Sequence, residues 1–382
     1  MMNPVYLDNA ATTRVAPEVL EAMLPFLTEV YGNPSSPHRL GEPARRAVGI
    51  ARGQVADFLG AAPAEIVFTG SATEANHTAV LGALAIRAGR RRIVTTRVEH
   101  PASMLLFDHL ERQGYEVVRL PVEADGTLRF DRLAEAIDRD TALVSVMWAN
   151  NETGVVLPVG LAASLAERAG ALFHTDAVQA AGRLPVGVQK IRPDFLSLSA
   201  HKLHGPKGIG ALYVKRGVPL PPLLFGHQER RRRGGTENVP AIVGLGEACR
   251  LAADTLPDVA GRVRTLRDHL EAGVTRALPW VRVNGHRIAR VPTTSNLCFD
   301  GQDGEAVLMR LDRAGVAVSA GSACSAGGGE PSHVLTAMGL DARRAGASLR
   351  FSLSRYTTLA DIEAVLDRLP EAVGIPAAAC AL

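Results

Sequence analysis

The chain of 382 residues has few lysines, few cysteines and no long apolar run. Its four lysines all lie between residues 190 and 215, so any chemistry that needs a lysine amine is confined to that stretch. The four cysteines are widely spaced and form no C-x-x-C pair, which argues against a structural zinc site or a disulfide framework. Free thiols in a reducing compartment are the simpler interpretation.

Charge and hydropathy disfavour a membrane-spanning, a secreted or a nucleic-acid-binding protein. No segment approaches the ~18 uninterrupted apolar residues of a membrane span, and the N-terminal MMNPVYLDNAATT lacks the basic and apolar regions of a secretion signal. We therefore expect a cytoplasmic protein. The 42 basic and 39 acidic residues are scattered, and a formal net charge of +3 gives no field that would attract nucleic acid. The length and the 47% of hydrophobic residues are typical of a soluble enzyme with two domains.

Short apolar runs rich in β-branched residues alternate with helical patterns between residues 60 and 215, which predicts an α/β fold around a mostly parallel seven-stranded sheet. The predicted strands are 66–69, 92–96, 116–120, 142–148, 171–175, 195–199 and 210–214, and the predicted helices include 71–89, 101–113, 130–138 and 158–170. Longer helical patterns after residue 256 predict a smaller α+β domain. The predicted division is a large domain of residues 13–256 and a small domain of residues 1–12 and 257–382.

Lys202 lies at the end of a predicted apolar strand in DFLSLSAHKLHGPKGIGALYV, a position where α/β folds form ligand sites. A lysine that forms a Schiff base needs a pocket that lowers its pKa through desolvation or nearby positive charge, and a strand end with small neighbours can supply one. The alternative is a surface lysine in a loop, and for an isolated lysine it would be the better interpretation. Two further segments favour the Schiff-base lysine.

The first segment, HTDAVQA, places Asp176 at a strand end and Gln179 three residues later. A carboxylate in that position can hold a pyridinium nitrogen protonated, so that the ring withdraws electrons. Gln179 can then donate a hydrogen bond to the phenolic oxygen of the ring. Taken alone, Asp176 is equally well interpreted as a helix N-cap.

In the second segment, FTGSATEANHTAV, a strand enters a Gly-Ser-Ala-Thr turn that opens a helix. The backbone N–H groups of Ala72 and Thr73, the Thr73 hydroxyl and the helix dipole would suit a phosphate. The turn matches neither a Walker A loop nor a G-x-G-x-x-G fingerprint, so a nucleotide is less well supported. A simple Ser/Thr helix cap with Glu74 in the first turn remains the alternative.

His100 in RVEHPAS and Asn151 in WANNETG also follow predicted strands, and the imidazole of His100 could stack on a flat cofactor ring. Because the carboxyl ends of strands in a doubly wound sheet share one edge, we expect the candidate residues to meet there. These residues are Thr73, His100, Asn151, Asp176, Gln179 and Lys202.

Eleven segments of the chain together resemble the NifS/IscS-type cysteine desulfurases, fold-type I enzymes of the class V aminotransferase family that use pyridoxal 5'-phosphate (PLP). The segments cover essentially the whole chain in the order that the family has. They are YLDNAATT at 6–13, GNPSSPHRLG at 32–41, FTGSATEAN at 68–76, EHPA at 99–102, NNETG at 150–154, HTDAVQ at 174–179, SAHKLHGPKGIGALYV at 199–214, GGTEN at 234–238, GSACS at 321–325, EPSHVL at 330–335 and LRFSLSRYTT at 349–358.

The resemblance implies an enzyme that removes sulfur from L-cysteine, giving L-alanine and a persulfide on Cys324. Lys202 would hold PLP as a Schiff base, and His100 would move protons. Arg350, with Asn33 and Asn151, would bind the substrate. The implied cofactor ligands are Ala72, Thr73, His100, Asn151, Asp176, Gln179, Ser199, His201 and Lys202, with Thr236 reaching in from the partner subunit of a homodimer. No metal is expected, apart from a transient iron–sulfur contact of the Cys324 persulfide.

Cys324 is the residue that separates a desulfurase from a transaminase. Its neighbours in SAGSACSAGGGEPSH are nearly all small, which predicts a mobile loop and the accessible thiol that a sulfur-accepting thiolate needs. The alternative is a buried structural cysteine. Cys298, in an apolar strand, and Cys249, at the end of a helical stretch, fit that alternative well, and Cys380 lies in the tail PAAACAL. We expect no catalytic role for these three.

The chain departs from the family pattern in three places, and the last of them concerns the sulfur acceptor. Gly70-Ser71 reverses the expected Ser-Gly order and Ala200 replaces a common glycine, both conservatively. The chain ends without the extension by which IscS-type members dock a scaffold protein, so it resembles NifS-like members more closely. The sulfur acceptor, an iron–sulfur scaffold or another acceptor protein, therefore stays open.

Four other functions compete with the desulfurase. A class V aminotransferase or a selenocysteine lyase would keep the fold and make Cys324 incidental. A scaffold or regulatory protein would keep the fold without catalysis, which the joint presence of Lys202, Asp176, His100 and Arg350 with that cysteine argues against. A dinucleotide-binding Rossmann enzyme is disfavoured because no glycine-rich fingerprint opens the first strand–helix unit.

Overall fold

The structure is a computed structural model that describes residues 4–320 and 331–374. The predictions for Cys324 and Cys380 therefore lie outside the described residues. The strands are β1 (Val5–Tyr6), β2 (Ile66–Thr69), β3 (Arg92–Thr96), β4 (Glu116–Leu120), β5 (Thr141–Ser145), β6 (Leu172–Asp176), β7 (Phe195–Ser199), β8 (Gly210–Val214), β9 (Arg282–Asn284), β10 (Thr294–Cys298), β11 (Val316–Ala317), β12 (Ser319–Ala320) and β13 (Ser348–Ser352).

The helices alternate with the strands of the first half of the chain and then lengthen. They are α1 (Pro17–Met23), α2 (Pro25–Thr28), α3 (Gly41–Leu59), α4 (Ala72–Ile86), α5 (Pro101–Arg112), α6 (Phe130–Ala136), α7 (Val159–Ala169), α8 (Val188–Ile191), α9 (Gln228–Arg231), α10 (Val239–Asp258), α11 (Arg264–Ala277), α12 (Gly304–Arg313), α13 (His333–Ala337), α14 (Ala342–Gly346) and α15 (Leu359–Ala372). None of the helices formed by the described residues has the length and apolar character needed to cross a lipid bilayer.

The central sheet has seven strands in the order β2-β8-β7-β6-β5-β3-β4. Strands β7, β6, β5, β3 and β4 pair in parallel, whereas β8 runs antiparallel to both of its neighbours, β7 and β2. The prediction of a mostly parallel seven-stranded sheet is confirmed. The predicted strands 142–148 and 171–175 form as β5 and β6, with ends that differ from the predicted ones.

Helices cover both faces of this sheet, which is why β2, β5, β6, β7 and β8 are buried along their whole length. On one face, Leu196 and Leu198 of β7 belong to a core cluster with α3, α7 and α10. On the other face, Phe195 packs in a cluster with residues of α4 and α5, including Phe107. Successive strand residues alternate between the two faces, so continuous apolar runs are the expected sequence of such strands.

The C-terminal part of the chain has its own core. Its four-stranded antiparallel sheet has the order β12-β13-β10-β9, and β1 pairs in parallel with β11. Val5 and Leu7 join a cluster of buried residues otherwise drawn from 259–373. The division into residues 13–256 and the remainder stays a prediction, and α10 runs across its second boundary.

The short segment α9 holds three consecutive non-glycine residues in the left-handed region and is therefore a turn rather than a regular α-helix. Their φ values are 47° at Glu229, 57° at Arg230 and 64° at Arg231. The Glu229 carboxylate is buried, forms a bidentate pair with Arg52 at 2.6 and 2.7 Å, and accepts a hydrogen bond from the Phe68 N–H at 3.0 Å. This buried anchor holds a backbone conformation that L-residues disfavour.

Replacing Arg231 with glycine is expected to raise the free energy of unfolding by about 0.5–1 kcal/mol, because glycine adopts positive φ without the Cβ clash of roughly 1–2 kcal/mol. The Arg231 side chain is exposed and pairs with no described residue. The matched control is Arg230→Gly, which relieves similar strain but removes hydrogen bonds to the Ala64 and Pro63 carbonyls. Denaturant unfolding of both variants checks the prediction, and a less stable Arg231→Gly would contradict it.

Candidate active site

A cavity of about 680 Å³ opens at the carboxyl edge of the parallel strands. Volumes of this size are typical of sites that bind small molecules and cofactors. Most of the predicted site residues line it. These are Ala72, Thr73, His100, Asn151, Asp176, Gln179, Ser199, His201, Lys202 and Arg350.

Lys202 enters the cavity from a short 3₁₀ turn, Ala200–Lys202, that directly follows β7. Its Nζ donates hydrogen bonds to the carbonyl oxygens of Ala10 at 2.6 Å and Ala11 at 2.5 Å. The side chain is half-buried. The amine is thus held at the cavity wall by the N-terminal segment, which disfavours the alternative of a surface lysine in a loop.

Asp176 ends β6 with a carboxylate that is only 7% exposed. Its Oδ2 accepts a hydrogen bond from Asn76 Nδ2 of α4 at 2.7 Å, and its Oδ1 accepts one from the Val178 N–H at 3.0 Å. The second bond makes a local turn, and turns rather than a helix follow the strand, so the N-cap alternative for Asp176 is wrong. Gln179 is buried and donates through Nε2 to the Ala10 carbonyl at 3.0 Å.

The turn before α4 contains both the helix cap and the available N–H groups that its sequence predicts. Ser71 is the N-cap, and its Oγ accepts a hydrogen bond from the Glu74 N–H at 3.1 Å, while Glu74 Oε2 accepts one from the Gly70 N–H at 2.7 Å. The cap leaves the N–H groups of Ala72 and Thr73 without an acceptor among the described residues. Since both residues line the cavity, the helix can be capped and still present N–H groups to an anion.

Two of the three histidines that line the cavity, His100 and His201, have lowered pKa values and are uncharged near neutral pH. Burial lowers the pKa of His100, helped by the charge of Lys202, although Asp176 acts in the opposite direction. Burial, followed by the charges of Lys202 and Lys207, lowers the pKa of His201 to about 4. His201 Nδ1 lies 3.1 Å from the Thr12 hydroxyl oxygen. Neutral rings can each both donate and accept a hydrogen bond.

Arg350 of β13 approaches the cavity from the C-terminal sheet and is 3% exposed. Its Nη2 donates to Asp8 Oδ1 at 2.8 Å, and its Nη1 donates to the Asn151 carbonyl at 2.8 Å. Arg350 Nε and Asn151 Oδ1 are both buried without a partner among the described residues. A buried polar atom without a hydrogen-bond partner costs free energy. These two atoms can therefore still form hydrogen bonds to a ligand in the cavity.

Two predicted residues lie elsewhere within the single chain. Asn33 is exposed, and its Oδ1 accepts a hydrogen bond from the Ser35 N–H at 2.9 Å. Thr236 is also exposed. Neither lines the cavity. The proposed contribution of Thr236 to a partner subunit stays a prediction, as does the role of Asn33.

Several residues around the cavity were not identified from the sequence. Asn76 holds Asp176, and its only sequence signal is its place one turn after Ala72 on the helix that opens at the cavity. Burial raises the pKa of Glu99 to about 8 and that of Glu152 to about 7. His333 lines the cavity from α13. Nothing in the local sequence distinguishes these last three from ordinary polar residues.

Known proteins are similar to this chain over nearly its whole length. The profile of the family described as aminotransferase class-V matches residues 5–365. A cysteine desulfurase of Cereibacter sphaeroides is 54% identical over 375 residues, 97% of this chain and 96% of that protein. A solved NifS-like protein has a TM-score of 0.91 and 37% identity over 96% of this chain and 98% of its own.

A further solved structure, of a protein called SspA in complex with cysteine, has a TM-score of 0.80 and 36% identity. It covers 92% of this chain and 99% of its own. Full-length identity of this order, together with a shared fold, shows membership of a family. The chain therefore belongs to the class-V aminotransferase family and, within it, to the cysteine desulfurases.

Proposed function

We propose that this chain uses pyridoxal 5'-phosphate in the cavity to take sulfur from L-cysteine, giving L-alanine and a persulfide on Cys324. The observation that carries the proposal is that a lysine amine, a buried carboxylate and the N-terminus of a long helix line one cavity. These are Lys202, Asp176 and the first turn of α4. The cysteine bound to SspA, a relative of 36% identity, supports cysteine as the ligand.

The residues of the cavity fit the chemical groups of PLP. Lys202 would hold the aldehyde carbon covalently, and Asp176, which Asn76 supports, would pair with the ring nitrogen. Asn151 and Gln179 line the cavity and would donate their side-chain amide N–H groups to the ring oxygen. The phosphate would be held by Ala72, Thr73, Ser199 and His201 of one chain and by Thr236 of a second copy. His100 would contact the ring.

When bound, PLP withdraws electrons from the α-carbon of an amino acid. Arg350, with its unpaired Nε, would orient the substrate carboxylate, aided by Asn33 and Asn151. Lys202 would carry the α-proton, since an amine at the cavity wall can both take and return it. The neutral ring of His100 would hold or donate a proton within the cavity.

Cys324 would act as the sulfur acceptor. Its thiolate would attack the substrate sulfur, so that a sulfur–sulfur bond forms while the carbon–sulfur bond breaks. The electron pair of the broken bond stays with the substrate carbon, which is protonated as alanine forms. The persulfide would then pass to an acceptor, an iron–sulfur scaffold or another sulfur-acceptor protein, in the cytoplasm. We propose that the chain acts in this role as a homodimer.

Incubation with L-cysteine tests the proposal. In the presence of a reductant, sulfide and alanine should form in equal amounts and without any keto acid. An aminotransferase would instead require a keto-acid acceptor and release no sulfide. Alanine formation that depends on a keto acid would therefore refute the proposed function while leaving the family assignment intact.

A further inference from the structure

Two histidines of the cavity have the same tautomer but are held through opposite ring nitrogens. His100 is the N-cap of α5, and its Nδ1 accepts a hydrogen bond from the Ala102 N–H at 3.2 Å. An imidazole nitrogen that accepts a hydrogen bond carries a lone pair, so the proton of the neutral ring is on Nε2. Burial keeps this ring neutral. His100 is therefore arranged to donate a proton into the cavity, whereas taking one would require it to release its helix cap.

His333 has the complementary arrangement. Its Nε2 lies 2.9 Å from the backbone carbonyl oxygen of Glu99, which can only accept, so Nε2 carries the proton. Nδ1 then has the lone pair, and no described residue binds it. His333 lines the same cavity as Lys202 and Arg350. A residue that lines the cavity thus has a ring nitrogen whose lone pair forms no hydrogen bond to a described residue.

The neighbours of His333 fix the ring in place. Ser332 is the N-cap of α13, and its Oγ accepts a hydrogen bond from the Leu335 N–H at 3.1 Å. The same hydroxyl donates to Glu152 Oε2 at 2.5 Å. The His333 ring is held at its backbone and at Nε2, so it is already positioned before the reaction. Such positioning is the usual requirement for a catalytic base.

The proposed sulfur transfer requires such a base, because the substrate arrives with a protonated thiol. A cysteine thiol has a pKa of about 8.5, so only a few per cent is thiolate at pH 7. We infer that Nδ1 of His333 takes the proton from the substrate thiol, while His100 acts as the donor. This inference rests on the proposed function. The sulfur–hydrogen bond breaks, its electron pair stays on sulfur, and the proton forms an imidazolium that returns it to solvent.

Other titratable groups surround His333 and bear on the pH dependence. Those that face it or its neighbours are Glu99, His100, Glu152, Asp176, Lys202 and Arg350. His201 and Lys207 line the cavity beside Lys202. A substitution at position 333 leaves these groups in place but removes the charge of His333 that lowers the pKa of His100, so that pKa should rise in the variant. A higher pKa keeps His100 a proton donor, so activity that is lost at pH 7 and returns at pH 9 reports the missing base.

The kinetic test is His333→Gln, because a glutamine amide can still donate to the Glu99 carbonyl but cannot take a proton. With a thiol pKa of about 8.5, kcat/KM for sulfide release should fall roughly 30-fold at pH 7 and less than about twofold at pH 9. The wild type should not show this steep rise with pH. The matched control is His77→Gln, since His77 Nε2 contacts the Ala102 carbonyl at 3.1 Å from outside the cavity lining.

If kcat/KM falls equally at both pH values, or does not fall at all, His333 is not the base. A structural defect would not be relieved by the ionisation of the substrate thiol at pH 9. Sulfide release by the wild type separates this failure from failure of the proposed function. A second measurement needs neither activity nor a folded variant. Nitrogen-15 NMR of histidine-labelled wild-type protein should show an unprotonated Nδ1 in His333 and a protonated Nε2 in His100. The opposite tautomer at His333 would also overturn the inference.

Discussion

Replacing Lys202 with alanine is expected to abolish covalent attachment of PLP and to lower sulfide release by roughly 10²- to 10⁴-fold, the contribution of a positioned proton carrier alone. The amine is held at the cavity wall by the carbonyl oxygens of Ala10 and Ala11. These two carbonyl oxygens place the amine at the wall of the cavity that would hold the cofactor aldehyde. The variant should lose the visible absorbance of a Schiff base and the label that borohydride reduction fixes to the chain.

The small number of lysines makes this test decisive. Mass spectrometry of peptides after borohydride reduction need distinguish Lys202 from three other lysines, Lys190, Lys207 and Lys215. Lys190→Ala is the matched control, because Lys190 is exposed at the end of α8 and lies outside the cavity lining. It should keep full absorbance and activity. A label on Lys207, which does line the cavity, would show that the wrong lysine was assigned.

The sequence predicted the central sheet well because its strands are buried on both faces. A strand such as Gly210–Val214 is then a short, continuous apolar run, which is the pattern of a fully buried strand. The ends of β5 and β6 were less well placed, since buried residues continue past Ser145 into 146–150 although the ladder does not. These residues are buried although they are not paired in the sheet. A sequence pattern indicates burial and not pairing, so it extended the predicted strand too far.

The candidate site was predictable to the extent that it follows strand ends. Asp176, Ser199 and Lys202 lie where parallel strands end, and topology brings such residues together. Contacts between distant segments were not predictable. Lys202 is held by Ala10 and Ala11, and Arg350 pairs with Asp8, at sequence separations of about 190 and 340 residues. No local pattern records such pairs.

The same limit explains why His333 and Glu152 were missed. The hydrogen bond between Ser332 and Glu152 joins residues 180 apart in the sequence, and that between His333 and Glu99 joins residues 234 apart. Their chemical state depends on burial, which raises the pKa of Glu152 to about 7. A glutamate in WANNETG looks like a solvated side chain until its surroundings are known.

The four cysteines differ in their capacity to accept sulfur. Cys249 is fully buried in α10, and burial raises the pKa of its thiol far above neutrality. Burial also raises the pKa of Cys298, whose Sγ contacts the Arg344 carbonyl at 3.5 Å. Neither thiol would be ionised near pH 7, so neither can act as the nucleophile. Cys324 and Cys380 remain, and only the first lies within a segment that matches the family.

Replacing Cys324 with serine is therefore expected to leave PLP absorbance unchanged and to reduce sulfide release by about 10³-fold or more, as when an enzyme loses its nucleophile. Mass spectrometry after cysteine treatment should find one added sulfur on Cys324 in the wild type and none in the variant. Cys298→Ser is the control, since its hydroxyl can still donate to the Arg344 carbonyl. Added sulfur on Cys380, or normal turnover by Cys324→Ser, would contradict the assignment, because the buried thiols cannot replace it.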